Sequence, residues 1–284
     1  MLPARSFGDG YVVSLPVQSW FCMADRGVVY LAVQQFCYLE AALISALALR
    51  ALHPDLPITV VSDLPALAAL PIERHGLEAR LLPQPHHGSG LSLSRAVKTR
   101  IHTFSPHRDT LYLDADMLPV QPLTSLWNIL EQDDLALVPD RLPEIGLCDH
   151  IAPEEVAFTL ECLPASTRQF NSGLILWRRS ATSMALFEAW HREWQRFARH
   201  DQLALARAIF TSQTPVLELP RHYNLSPRDA EPLLKRGEPA TLLHCWGGKV
   251  TSGRFRRLAG RFCPQALEIA DELLATVAES LLSA

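Results

Sequence analysis

No two of the six cysteines in this 284-residue chain stand in CxxC spacing, and a chain of this length needs no disulfide staples. Cys22, Cys37, Cys148, Cys162, Cys245 and Cys263 therefore read as reduced thiols of a cytoplasmic protein. Long apolar runs are lacking too. The longest, AALISALALRAL at 41–52, is interrupted by Arg50 and falls far short of a bilayer span, so it reads as a core helix and predicts no transmembrane segment. The first 27 residues carry Arg5, Asp9, Asp25 and Arg26 without the basic-then-apolar order of a secretory leader. There is no excess of positive charge. The net charge of −4 gives no bulk field for nucleic acid or an anionic membrane. RFRR at 254–257 is the one small basic cluster, either a solvated face or an anchor for phosphate. Internal repeats and low-complexity linkers are absent.

What is present is the ordinary mix of a globular protein, 48% hydrophobic and 20% charged. The pattern alternates strand and helix. GVVYLAV (27–33), PITVVSD (57–63), LEARLLP (77–83) and DTLYLDADM (109–117) read as strands. LEAALISALALRAL (39–52) and LSRAVKTRIHTF (93–104) read as helices, each closed by a proline signal, and PQPHHGSG (83–90) is loop by composition. Short links between these elements predict a mainly parallel, Rossmann-like α/β sheet covered by helices on both faces. The second half continues with helices at 122–130, 153–163, 180–200 and from 201, the last with Asp201 as N-cap. Strands are predicted at 135–140, 170–179, in PVLELP and in TLLHCW, and an amphipathic helix closes the chain at 264–282.

The chemistry concentrates in LYLDADMLPV (111–120). In an open parallel sheet, ligands bind beyond the carboxyl ends of strands, and Asp114 and Asp116 stand at such an end. In extended backbone, residues two apart point the same way, so both carboxylates reach one point. Adjacent buried anions repel, and a hard divalent cation resolves the conflict by accepting oxygen ligands. The alternative is that one aspartate caps a turn and the other is a surface charge.

With its neighbours, this stretch resembles the GT-A fold glycosyltransferases, most closely family 8, which includes glycogenin and bacterial galactosyltransferases. The resemblance runs from about residue 28 to about 250. It is carried by GVVYLAV, the helix with Lys98 leading into TLYLDADMLPVQPL, then FNSGLILWRRS, DQLALARAI and LLHCWGGK. It implies that Ala32 and Val33 border a uridine site and that Asp114, Ala115 and Asp116 form the DxD segment. Asp114 and Asp116 would hold Mn2+ (or Mg2+) on a diphosphate, with His244 as third protein ligand. Arg95 and Lys98 would be basic donor contacts. Asn171 would touch the transferred sugar, and Asp201 and Gln202 would lie near the anomeric carbon. Gly247 and Lys249 resemble the family's HxxGxxK ending, although the lysine comes one residue early and Val250 occupies its usual place. The implied organisation is an N-terminal extension (1–26), a GT-A domain (27–260) with a nucleotide-binding half (27–117) and an acceptor half (118–260), and a C-terminal helix (261–284).

Other residues have more than one reading. His86-His87 is a metal pair, a lid or a polar loop. Trp190 and Trp194, four apart, are core or acceptor-groove aromatics. Asp63 ends a strand and either touches ribose or caps a turn, and Gly173 permits a close approach. A phosphatase of the haloacid dehalogenase type also carries DxD after a strand, but it needs a small or hydroxyl residue soon after, where Met117, Leu118 and Pro119 stand. A sugar-nucleotide synthase would want a glycine-rich basic loop after the first strand, and LAVQQFCYLEA has no glycine. A non-catalytic nucleotide- or glycan-binding protein on the same fold is the remaining alternative. The expectation is thus a metal-dependent glycosyltransferase that moves a hexose from a UDP-sugar donor to an unidentified acceptor (glycan, lipid-linked sugar, protein or small molecule), retaining configuration by double displacement or same-face substitution.

Overall fold

β-Branched side chains pack best on an extended backbone, and the valine-rich first run forms β1, Arg26–Ala32. The computed structural model describes residues 25–83, 91–123 and 125–282. The expectations for the N-terminal extension up to residue 24, including Cys22, and for the His86-His87 loop lie outside the described residues. After β1 come α1 (Phe36–Leu52), β2 (Ile58–Ser62), the short α2 (Ala66–Ala69), β3 (Leu77–Leu81) and α3 (Leu91–Lys98). β4 (Asp109–Asp114), β5 (Met117–Pro119), β6 (Leu135–Glu144), α4 (Pro153–Cys162) and β7 (Arg168–Arg178) follow. α5 (Ala181–Gln195), α6 (Gln202–Ser212), β8 (Leu217–Glu218), α7 (Pro227–Lys235), β9 (Leu242–His244), α8 (Arg254–Phe262) and α9 (Pro264–Leu282) complete the described chain.

The main sheet has the order β3-β2-β1-β4-β7-β6-β8. Its first four strands are parallel, β7 runs antiparallel to both its neighbours, and β8 is parallel to β6. The period of two sorts the side chains of β1. Val28, Tyr30 and Ala32 pack in the core beneath α1 and α9, while Val29 and Leu31 pack beneath α3, α5 and α6. Both faces are therefore covered, as the strands' continuous apolar runs require.

Four local expectations change, one being the helix predicted over 93–104, which ends at Lys98 and is followed by a 3-10 turn at Ile101–Thr103. The strand predicted over 109–117 divides into β4 and β5, because Ala115 and Asp116 form a turn. The helix predicted over 122–130 is a 3-10 segment, Leu126–Glu131, too short to propagate as an α-helix. α7 and α8 were not predicted as defined helices. Ser226 caps α7 by accepting the Asp229 N–H at 3.1 Å. In α8 the basic cluster is partly neutralised, since Arg256 pairs with Asp271 at 2.9 Å and with Glu40.

α6 matters because Asp201 and Gln202 stand at its start. It is anchored from behind by Arg207, which is 1% exposed. The guanidinium bonds Glu155 Oε1 of α4 at 3.2 Å, Thr159 Oγ1 at 2.6 Å and Glu193 Oε2 of α5 at 2.9 Å. Breaking a buried pair strands a charge. Arg207→Met should destabilise the chain by about 3–5 kcal/mol in denaturant unfolding, and adding Glu155→Leu should recover most of that loss. An unchanged unfolding midpoint for the single variant would refute the anchoring role.

Candidate active site

A cavity of about 500 Å3 opens at the carboxyl ends of β1 and β4. Asp114 is the last residue of β4, Asp116 lies in the turn that follows, and His244 is the last residue of β9. The antiparallel pairing of β5 with β9 puts Met117 opposite His244, and the Cys245 N–H donates to Asp116 O at 2.9 Å. One potential ligand atom from each of Asp114, Asp116 and His244 lies within 4.8 Å of the others. The two carboxylates converge through this turn and the β5–β9 ladder, not through a shared strand face as the extended-backbone argument assumed.

The imidazole is aimed by a relay. His244 Nδ1 donates to Asn224 Oδ1 at 2.9 Å, Asn224 Nδ2 donates to Asn171 Oδ1 at 2.8 Å, and the Gly173 N–H donates to the same oxygen at 3.0 Å. With Nδ1 engaged by Asn224, Nε2 is the nitrogen that faces the carboxylates, 3.3 Å from Asp116 Oδ1 and 3.9 Å from Asp114 Oδ2. Gly173 is required by this ring: a Cβ there would lie 2.4 Å from His244 Cε1. Two carboxylate oxygens and one imidazole, oriented by an amide, fit a divalent cation. Burial works to raise the Asp116 pKa, but His244 and Lys98 outweigh it and hold the carboxyl below its ordinary value.

Lys98 lies under the cavity. Its Nζ is 2.9 Å from both oxygens of Asp114 and 3.2 Å from Asp201 Oδ2. Burial favours the neutral amine, yet the two carboxylates outweigh it and raise its pKa. Asp201 occupies the N-cap position of α6 but makes no side-chain cap bond, which corrects the capping expectation. Its carboxylate turns inward instead, accepting the Ser172 hydroxyl at 2.6 Å and facing Arg95 Nε at 3.6 Å. Burial pushes its pKa up, but Lys98, Arg95 and Ser172 together hold it well below the usual carboxylate range. Gln202 reaches Gln169 Oε1 at 3.3 Å and lines the cavity with Asn171.

Val33, Arg95, Ala115 and Gly247 also line the cavity. Ala32 packs in the core beneath α1 and is not among the lining residues. Lys249 turns back, donating to Trp246 O at 2.6 Å and lying 5.4 Å from the Trp246 ring centre. Trp190 and Trp194 are core residues, and the Trp190 indole N–H donates to Asp201 O at 2.7 Å. Two site residues escaped sequence reasoning. Asp140 is buried on the cavity wall, with Oδ1 accepting the Leu142 N–H at 2.9 Å and Oδ2 facing Asn171 Nδ2 at 3.4 Å. Its signal was available, since LALVPD ends in an acid as VVSD and YLD do. Asn224 carried no such signal.

This architecture is the GT-A fold. The galactosyltransferase LgtC, solved in complex with donor and acceptor sugar analogs, matches at 17% identity and TM-score 0.53, over 84% of this chain and 96% of that one. The glycosyltransferase GlyE of Streptococcus pneumoniae matches at 14% and 0.57, over 91% of this chain and 64% of that one. Mouse xyloside xylosyltransferase 1 matches at 13% and 0.52, over 78% and 97%. No protein-family model and no curated protein sequence matches the chain. The fold overturns the dehalogenase-type phosphatase alternative.

Gly173→Ala should push His244 out of register and weaken Mn2+ binding by about 10- to 100-fold while the far-ultraviolet spectrum is kept. Wild-type Mn2+ affinity in that variant would show that His244 tolerates the added methyl.

Proposed function

We propose that this chain is a metal-dependent glycosyltransferase that moves a hexose from a nucleoside-diphosphate sugar, UDP first, to an acceptor hydroxyl with retention of configuration. The observation that carries this reading is the convergence of Asp114, Asp116 and His244 on one strand-end cavity, with Lys98 beside them. A bound Mn2+ would supply charge neutralisation for the departing diphosphate and orient it. The protein's own groups do the rest. Arg95, with its side chain 31% exposed, offers a second positive charge to the donor phosphates. Asp201 and Asp140 present carboxylates to the sugar, and Asn171 and Gln202 supply amides for its hydroxyls. Lys98 bridges Asp114 and Asp201 and holds them at a fixed separation. The acceptor is a hydroxyl compound of unassigned class, because acceptor recognition does not follow from the fold.

One observation favours a second reading, a non-catalytic binding protein: Lys249 is bonded to the Trp246 carbonyl and is not among the cavity-lining residues. Titration calorimetry tests the donor site, and turnover of the UDP-sugar separates the two. UDP should bind in the presence of Mn2+, and EDTA should abolish the heat. Asp116→Asn and His244→Ala should lose the Mn2+-dependent binding without a lower melting temperature. UDP binding insensitive to EDTA and to both substitutions would remove the metal from the reading. With hydrolysis of the UDP-sugar as the assay, Asp201→Asn should lower turnover by about two orders of magnitude and donor affinity far less. Silence towards UDP, GDP and their sugars would bring the binding-protein reading forward.

A further inference from the structure

β1 does not run directly into α1. Gln34 lies between them with φ of 65°, in the left-handed region that costs an L-residue free energy glycine would not lose. The turn is tight, since the Gln35 N–H donates to Val33 O at 2.9 Å. It is clamped from the neighbouring strand, where Asp63 Oδ1 accepts the Gln34 N–H at 2.7 Å. Asp63 is well placed for this. It follows Ser62, the last residue of β2, which pairs with Ala32, the last residue of β1. The Ser62 hydroxyl accepts the Leu64 N–H at 3.1 Å and fixes the backbone on the far side of Asp63.

The consequence is a placement of side chains. Val33 and Gln35 both line the cavity, as does Tyr38 from the first turn of α1, while Gln34 between them does not. The left-handed bend at 34 turns the chain from β1 towards α1 while Val33 and Gln35 stay on the cavity side. We propose that Asp63 is a positioning residue for the nucleotide: it holds Gln34 in the left-handed conformation and thereby presents Val33, Gln35 and Tyr38 as the wall against which the base and ribose lie. The nucleotide half of this inference rests on the reading above. A hydrogen bond to a carboxylate is strong enough to shift a two-conformer turn by about tenfold. The apparent nucleotide affinity falls with the fraction of turns in the competent conformer.

The test is a double-mutant cycle read by UDP titration with Mn2+. Asp63→Ala should weaken UDP binding by about tenfold, with the melting temperature nearly kept. Asp63→Asn keeps an acceptor oxygen and should fall between the two. In a Gln34→Gly background the same Asp63→Ala change should cost much less, because glycine enters the left-handed region without strain. Equal losses in both backgrounds would mean that Asp63 touches the ligand itself, and full affinity in Asp63→Ala would mean that it has no part in binding. Either result overturns the proposal. Amide hydrogen exchange at Gln34 in the nucleotide-free protein decides the clamp separately: slow in wild type and fast in Asp63→Ala is expected, and equal rates overturn it. A wild-type protein that ignores UDP would then fail the nucleotide reading while leaving the clamp measured.

Discussion

A single buried ammonium organises the cavity. Lys98, from the end of α3, reaches Asp114 at the end of β4 and Asp201 at the start of α6. Burying three charges is costly unless each is paired at close range. The arrangement meets that condition and so fixes how helix, strand and second helix sit about one point. Tyr112 adds to it by donating its hydroxyl to Asp114 Oδ1. Lys98 lies against Asp114, while Asp116 faces His244 from the other side. The negative charge that Lys98 does not neutralise lies towards the imidazole, where a divalent ion is the natural complement.

Around that point the supports differ in kind. Hydrogen-bonded amides, Asn171 and Asn224, aim His244, and the missing side chain of Gly173 makes room for it. A buried ion network on the opposite side of α6 holds the helix that carries Asp201 and Gln202. The site is therefore braced by electrostatics behind α6 and by backbone pairing behind His244. Within the cavity itself, Lys98, Arg95 and Ser172 face Asp201, and Lys98 also faces Asp114, which lets the carboxylates stay close.

Much of this was legible in the sequence because it rests on period and punctuation. The apolar runs at 27–33, 57–63 and 109–114 are strands, and the prolines after Leu52 and Phe104 follow helices or turns. The closing helix begins at Pro264 as its amphipathic pattern implied. Asp114, Asp116 and His244 were expected together, and they are together. What the sequence hid was directional. Nothing in YLDADM announces that the strand stops after Asp114, because Ala115 and Asp116 suit strand ends and turns alike. The antiparallel run of β7 depends on its partners, not on FNSGLILWRR. Asp201 looked like a helix cap because local spacing cannot report a lysine about a hundred residues earlier. Asn224 enters the site only through tertiary placement.

The short β5–β9 ladder has a kinetic meaning. It joins Met117 to His244, which lie far apart in the sequence, so it is a non-local contact. Loop closure of that length is slow and entropically costly, and it gains nothing until the intervening sheet has formed. His244 is consequently apart from Asp114 and Asp116 in a nascent chain that has not yet emerged to residue 244. An ion held by all three would meet its full ligand set only in the folded chain, and its binding free energy would add to the stability of that state.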